Sequence, residues 1–324
     1  RDLVRSRGLG DVYKRQLLLI TTACRDDSYT LSTESTPNLV TPALHTRVSD
    51  SQSPLTGIVE AYPCLQGSSI YFGNYVNNTL SVFYGFYNVQ DGNIVGDNNR
   101  EVSLPVGKYN IVYWGTPKYE EPIHTTPAID EPGLSIGSDL SKLYFGLRQY
   151  NKDTTYIPVY DLVHTNKEVN IGQEDLEANM ERVVAGLKVI VKTKNNAVIN
   201  SNITDMQVLI GGIAEKINLY TAEPENKTKT VKFDLVRSVD NTEMSNAMVM
   251  VFPSAPNPLL TLLITLKDGS VHTLSKNLES TLVANTRLTV NIVIGDIFAG
   301  GSSGNFTIDN WNESSETIEF PVVD

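Results

Sequence analysis

The sequence predicts an all-β chain of two tandem β-sandwich domains with one short helix between them. Three features carry that prediction. Apolar and polar residues alternate over many short runs, the period-two pattern of strands with one face on a core. Turn dipeptides such as Asp91-Gly92 and Asp268-Gly269 separate these runs. Tyrosine outnumbers phenylalanine 15 to 9, as suits half-buried strand positions. A length of 324 residues fits two domains of about 150 residues each, drawn at 57–182 and 183–324.

The elements follow in order. Residues 1–23 read as an artefactual or truncated signal segment, and 1–16 resemble translated adapter sequence. Residues 24–56, rich in Ser, Thr, Asp and Pro, read as a tether that ends in a first strand near Leu39 to Val48. From Gly57 the alternation begins. Leu80, Val82, Tyr84 and Phe86 share one face, with Ser81, Phe83, Gly85 and Tyr87 on the other. Asp91-Gly92 then predicts a hairpin, because both central positions of a type I′ turn need positive φ. The returning strand is expected at Arg100 to Leu104. In the run Leu104 to Gly115, Tyr109, Ile111 and Tyr113 oppose Asn110, Val112 and Trp114. Pro117, Pro122, Pro127 and Pro132 make 115–140 a surface connection, since proline cannot donate to a ladder. Residues 172–182 (GQEDLEANMER), acidic early and basic late, predict the short helix. Leu187, Val189 and Val191 then alternate with Lys188, Ile190 and Lys192. Further strands are expected at 206–210, 217–220, 231–235, 247–252, 259–266, 271–274 and 288–294, with Lys267 to Ser270 as a second hairpin turn.

Composition excludes several classes of function. A net charge of −11 disfavours nucleic acid as a partner, because binding it requires a basic patch that neutralises phosphates. No stretch of about 18 apolar residues is present to span a membrane as a helix. His45, His124, His164 and His272 lack metal-ligand spacing, and Cys24 and Cys64 are the two cysteines, too few for a zinc or iron–sulfur cluster. No nucleophile elbow or phosphate-binding glycine loop occurs. The expectation is a protein without catalysis, metal or cofactor.

One local motif stands out. Leu17 to Cys24 (LLLITTAC) followed by Asp26-Asp27 resembles the lipobox of bacterial lipoproteins and the acidic export tag of surface lipoproteins in the Bacteroidota. That resemblance implies a lipid on Cys24 and tethering to the outer membrane, since buried acyl chains contribute about 0.8 kcal/mol per CH₂.

Taken with the Asp91-Gly92 hairpin leading to LPVGKYNIVYWG, with ERVVAGLKVIV and with FTIDNWNE, this motif makes the chain resemble the Bacteroidota fimbrillin superfamily, the subunits and anchor proteins of type V pili. The resemblance implies transthyretin-like (Greek-key) sandwiches, a place on the cell surface or in the fimbrium, a role in adhesion, and partnership with other fimbrial subunits by strand exchange. It makes Arg47 a candidate processing site for an Arg-specific protease. It likewise makes Ile318, Phe320 and Val322 candidate donor-strand residues. The alternative is a surface lipoprotein that binds glycans by stacking sugars on Trp114, Tyr119 and Tyr144.

Overall fold

The computed structural model describes residues 37–48, 54–117, 129, 133–149, 154–294 and 308–317. Strands β1 (Leu39–Val40) and β2 (Leu44–Val48) precede the longer β3 (Gly57–Leu65). A small hairpin, β4 (Asn74–Val76) and β5 (Thr79–Ser81), leads to β6 (Gly85–Gln90) and β7 (Asn93–Ile94). Next come β8 (Leu104–Pro105), β9 (Gly107–Pro117), β10 (Tyr144–Gly146), β11 (Val163–Ile171) and β12 (Leu176–Arg182). After β13 (Ala185–Thr193) follow β14 (Ile203–Asn218), β15 (Pro224–Arg237), β16 (Glu243–Ser245) and β17 (Val249–Val251). The last four are β18 (Leu259–Leu266), β19 (Val271–Asn277), β20 (Thr286–Ile294) and β21 (Ile308–Thr317).

These strands form two large sheets. The first has seven strands in the order β2-β12-β11-β9-β3-β6-β7. The second has ten, in the order β19-β18-β14-β15-β16-β13-β20-β21, with β10 added to β14 and β17 to β13. Most neighbours are antiparallel, but β2 runs parallel to β12 and β13 parallel to β20.

The first sheet is covered on both faces, which explains why β3 is buried along almost its whole length. Val59, Ala61, Tyr109, Ile111 and Tyr113 face a core closed by β2, β11 and β12. From the same two strands Tyr62, Cys64, Val112 and Trp114 face a larger core shared with β13, β14, β18 and β20 of the second sheet. The alternation read for residues 109–114 is therefore right, and both of its faces are used.

Five expectations need correction, two of them briefly: Gly115 to Pro117 form the buried end of β9 and not a surface connection, and the strand returning from the Asp91-Gly92 turn is β7, with Arg100 reduced to a single bridge to Phe86. Residues 172–182 do not form a helix: Leu176–Arg182 is a strand with an alternating burial pattern. Leu176, Ala178, Met180 and Arg182 all point inward, and burying that stripe outweighs the helix-like placement of charge. The helical turns among the described residues are two 3-10 segments, Leu140–Lys142 and Lys194–Asn196. The strand expected over residues 80–86 is interrupted at 82–84, and its inward phase is then carried by Gly85, Tyr87 and Val89. The strands expected at 206–210 and 217–220 are one strand, β14, whose register shifts between Ile210 and Ile213. Gly212 supplies positive φ (71°) at that bulge.

The β14–β15 hairpin docks its tip on the outer face of the first sheet. Trp114 Nε1 donates to the Leu219 carbonyl at 2.8 Å, and Asn110 Nδ2 donates to the Tyr220 hydroxyl at 3.2 Å. Asn218 shapes the tip, its Oδ1 accepting from the backbone N–H groups of Tyr220 (2.9 Å) and Thr221 (3.0 Å). Where β12 passes into β13, the buried Arg182 grips Asp161 in a bidentate pair, with Nε to Oδ1 at 2.8 Å and Nη2 to Oδ2 at 3.1 Å. Its third nitrogen reaches Asn285 Oδ1 at 3.4 Å.

Candidate functional site

The first strands of the described chain show how an edge of the seven-stranded sheet is filled. Leu39 and Val40 pair with Pro105 and Leu104. Pro42 separates them from β2, which lies in parallel register on β12 from Leu44↔Leu176 to Val48↔Met180. Leu44 and Val48 are 4% and 1% exposed, and with Thr46 they turn into the core while His45 and Arg47 turn out. Backbone bonds hold the entry: Leu176 N–H donates to the Ala43 carbonyl at 2.8 Å. Ala43 N–H in turn donates to Asp175 Oδ1 at 3.2 Å.

Arg47 is therefore a ladder residue. It is paired with Asn179 in the β2–β12 register, and its Nε donates to Asn179 Oδ1 at 2.5 Å. A shallow cleft of about 270 Å³ runs beside it, lined by His45, Thr46, Arg47, Glu177 and Asn179. Lys167, whose Nζ donates to Glu177 Oε2 at 2.7 Å, holds that carboxyl below its usual range. His45, Arg47 and Glu177 are exposed here, so the cleft offers recognition by hydrogen bonding and charge.

The opposite end of the chain closes the second sheet. β21 is antiparallel to β20, from Thr286↔Thr317 to Ile294↔Ile308. The donor-strand candidates Ile318, Phe320 and Val322 lie outside the described residues, as do the lipidation candidate Cys24 and the aromatic Tyr119.

The glycan platform expected at Trp114, Tyr119 and Tyr144 is not supported by the two residues that are described. Trp114 is fully buried. Its indole packs edge-on to Phe145 at 4.8 Å and cannot stack on a surface sugar. Tyr144 is half-buried on β10, and Lys216 Nζ covers its ring at 3.6 Å. Cys64 is a buried thiol pushed up to about 12 by desolvation, hence an inert packing group. No group of three His, Cys, Asp or Glu among the described residues could hold a metal ion. No helix among them is long and apolar enough to cross a membrane.

Two polar features escaped the sequence reading. Glu60 is 1% exposed in the otherwise apolar run GIVEAYPCL, where it accepts from the Tyr62 hydroxyl at 2.9 Å. The Arg182–Asp161 pair is the other. The signal for each was a charge at an inward position of an alternating run, which becomes readable once the phase of the strand is known.

The family model described as fimbrillin-A associated anchor proteins Mfa1 and Mfa2 matches residues 24–317. No curated protein matches the sequence. Among solved structures, the fimbrial anchor protein Mfa2 of Porphyromonas gingivalis is similar with a TM-score of 0.51 at 11% identity, over 86% of this chain and 97% of that one. A candidate adhesin of Bacteroides ovatus gives a TM-score of 0.52 at 11% identity, over 82% and 92%. A candidate polysaccharide-binding protein of Bacteroides thetaiotaomicron gives 0.50 at 13% identity, over 85% and 97%.

Proposed function

Since the chain belongs to the family of fimbrillin-A associated anchor proteins, a fimbrial, cell-surface protein is the premise, and we propose that it anchors a fimbria as a lipoprotein. In this reading the lipid sits on Cys24, the residue at which the family match begins. Residues 25–38 then form the tether. The fimbrial partner joins by β-strand addition alongside β2, which stays seated and offers an extended segment a ladder to extend.

The observation that carries the anchor reading is the seating of β2 and of Arg47 within it. A protease needs its target in an extended, unpaired stretch. Arg47 is paired instead, between the buried residues Thr46 and Val48. Cleavage after Arg47 would release everything upstream, the lipid included, so a chain that keeps β2 stays attached. A stalk subunit would have to lose it.

The test has two parts. Cys24→Ala should abolish metabolic labelling with palmitate and membrane retention; unchanged retention rejects the lipid site. An Arg-specific protease added to the folded protein should leave Arg47 uncut and the protein monomeric by size exclusion. Cleavage there accompanied by heat-stable multimers would identify a stalk subunit instead.

A further inference from the structure

A loop just ahead of β6 presents an exposed ring beside an arginine, and several buried contacts hold it in place. Between β5 and β6, Val82 and Tyr84 pack against the larger core while Phe83 turns outward. Phe83 is 53% exposed, an unfavourable position for so large an apolar ring in a rigid segment. The loop is nevertheless fixed from below. The Tyr71 hydroxyl donates to the Val82 carbonyl at 2.9 Å. The Tyr84 hydroxyl bonds Glu60, which also accepts from Tyr62. Gly85 lets the chain pass close over Val102, since a Cβ there would lie 2.6 Å from Val102 Cγ2.

Arg100 completes the arrangement. Its backbone is locked to that of Phe86, N–H to carbonyl in both directions at 2.7 and 2.8 Å. Its Nε donates to the Tyr84 carbonyl at 2.5 Å. The guanidinium carbon then sits 5.0 Å from the Phe83 ring centroid and 5.2 Å from that of Tyr84. This cation–π clasp orients the group. Among the described residues the two Nη atoms have no hydrogen bond or ion pair. Their donors are left unused, in the planar fork that matches a carboxylate.

We propose that Phe83 and Arg100 form a binding site for an acidic sugar, with the exposed ring against the C–H face of a pyranose and the guanidinium on its carboxylate. A sugar acid offers these two chemistries on one ring, at the spacing of Phe83 from Arg100. One ring and one cation, flanked in sequence by Ser81 and the exposed Glu101, are too small and too polar a patch to be the apolar centre of a stable protein interface. Ordering these groups before binding lowers the entropic cost of holding a flexible polar ligand. This inference is independent of the anchoring role.

The probes are a galacturonic acid hexasaccharide against its methyl ester, and 3′-sialyllactose against lactose, each titrated into the purified protein by calorimetry. The acid of at least one pair should bind about tenfold or more tightly than its neutral counterpart, the scale of a charged hydrogen-bonded contact. Arg100→Gln should lose that advantage and Arg100→Lys should restore part of it, while Phe83→Ala should weaken the acid and its neutral counterpart alike with the thermal midpoint unchanged. Equal affinity for acid and neutral forms, no binding of either acid in the millimolar range, or full affinity in Phe83→Ala would overturn the proposal. Loss of fimbrial-subunit binding in Phe83→Ala, with no sugar bound by the unmutated protein, would overturn it in favour of a protein contact.

Discussion

At the scale of single residues, His164 has the clearest consequence. Its ring lies 4.7 Å from that of Trp114. One ring nitrogen bonds the Tyr220 backbone at the docked hairpin tip, while Nε2 has no partner among the described residues. Desolvation pushes its pKa down to about 4, whereas an unfolded histidine titrates near ~6.5. As pH falls below ~6.5 the unfolded chain takes up a proton that the folded chain refuses. Stability should therefore decline between about pH 6.5 and 4, by at most about 3 kcal/mol from this residue, and level off below. Urea unfolding of the unmutated protein and of His164→Asn at neutral pH and near pH 4.5 measures it. The variant should lose clearly less stability on acidification, and an equal loss would place the effect elsewhere. His164 had looked like any scattered histidine in the sequence. Its significance comes from a hairpin tip more than fifty residues away in the chain.

At the scale of elements, β2 is the strand on which the proposed anchoring role rests. Leu44 and Val48 are its inward anchors, and truncating a buried leucine to alanine costs about 2–5 kcal/mol. A five-residue edge strand has few other contacts to share that loss, so Leu44→Ala should open β2 locally before the sheet unfolds. The readout is the rate at which trypsin cuts after Arg47, which should rise by about tenfold or more because cleavage tracks the open population. An unchanged rate would mean that β2 does not open as a unit. The same element type shows what the sequence made legible. Alternation located β9, β13, β18 and β20, where one strand face is uniformly apolar, and Asp91-Gly92 marked its hairpin because both residues adopt positive φ (51° and 77°). Residues 172–182 misled because two patterns overlap there. Glu174, Asp175 and Arg182 are placed as in a helix, while Leu176, Ala178 and Met180 keep a period of two. Charge at helix ends contributes tenths of a kcal/mol to about 1 kcal/mol. Burying three apolar side chains contributes several kcal/mol, so the strand wins. The parallel pairings of β2 and β20 left no local trace, since a partner distant in sequence sets them.

At the scale of the whole molecule, the question is whether the two sheets are independent. The strands of the two large sheets sort before and after residue 182, β10 excepted. The larger core does not sort in this way. It takes Tyr62, Cys64, Val112 and Trp114 from the first sheet, and Leu187, Val208, Leu262 and Val290 from the second. Separating the sheets would expose that layer, strip Trp114 Nε1 of its carbonyl and strand the Arg182 side chain between Asp161 and Asn285. Each loss is of a kind that costs kcal/mol rather than tenths. Residues Asn38–Asp324 accordingly form one compact unit. The molecule should therefore unfold in one calorimetric transition, with matching calorimetric and van't Hoff enthalpies, and residues 183–324 expressed alone should not give a cooperative melt. Trp114→Ala should lower that single midpoint, the substitution costing about 3–5 kcal/mol. Two resolved transitions, with Trp114→Ala moving only one, would instead show that each sheet holds its own stability. A cooperative body suits the anchoring role proposed above, because a load applied at either sheet is then borne by the whole shared core.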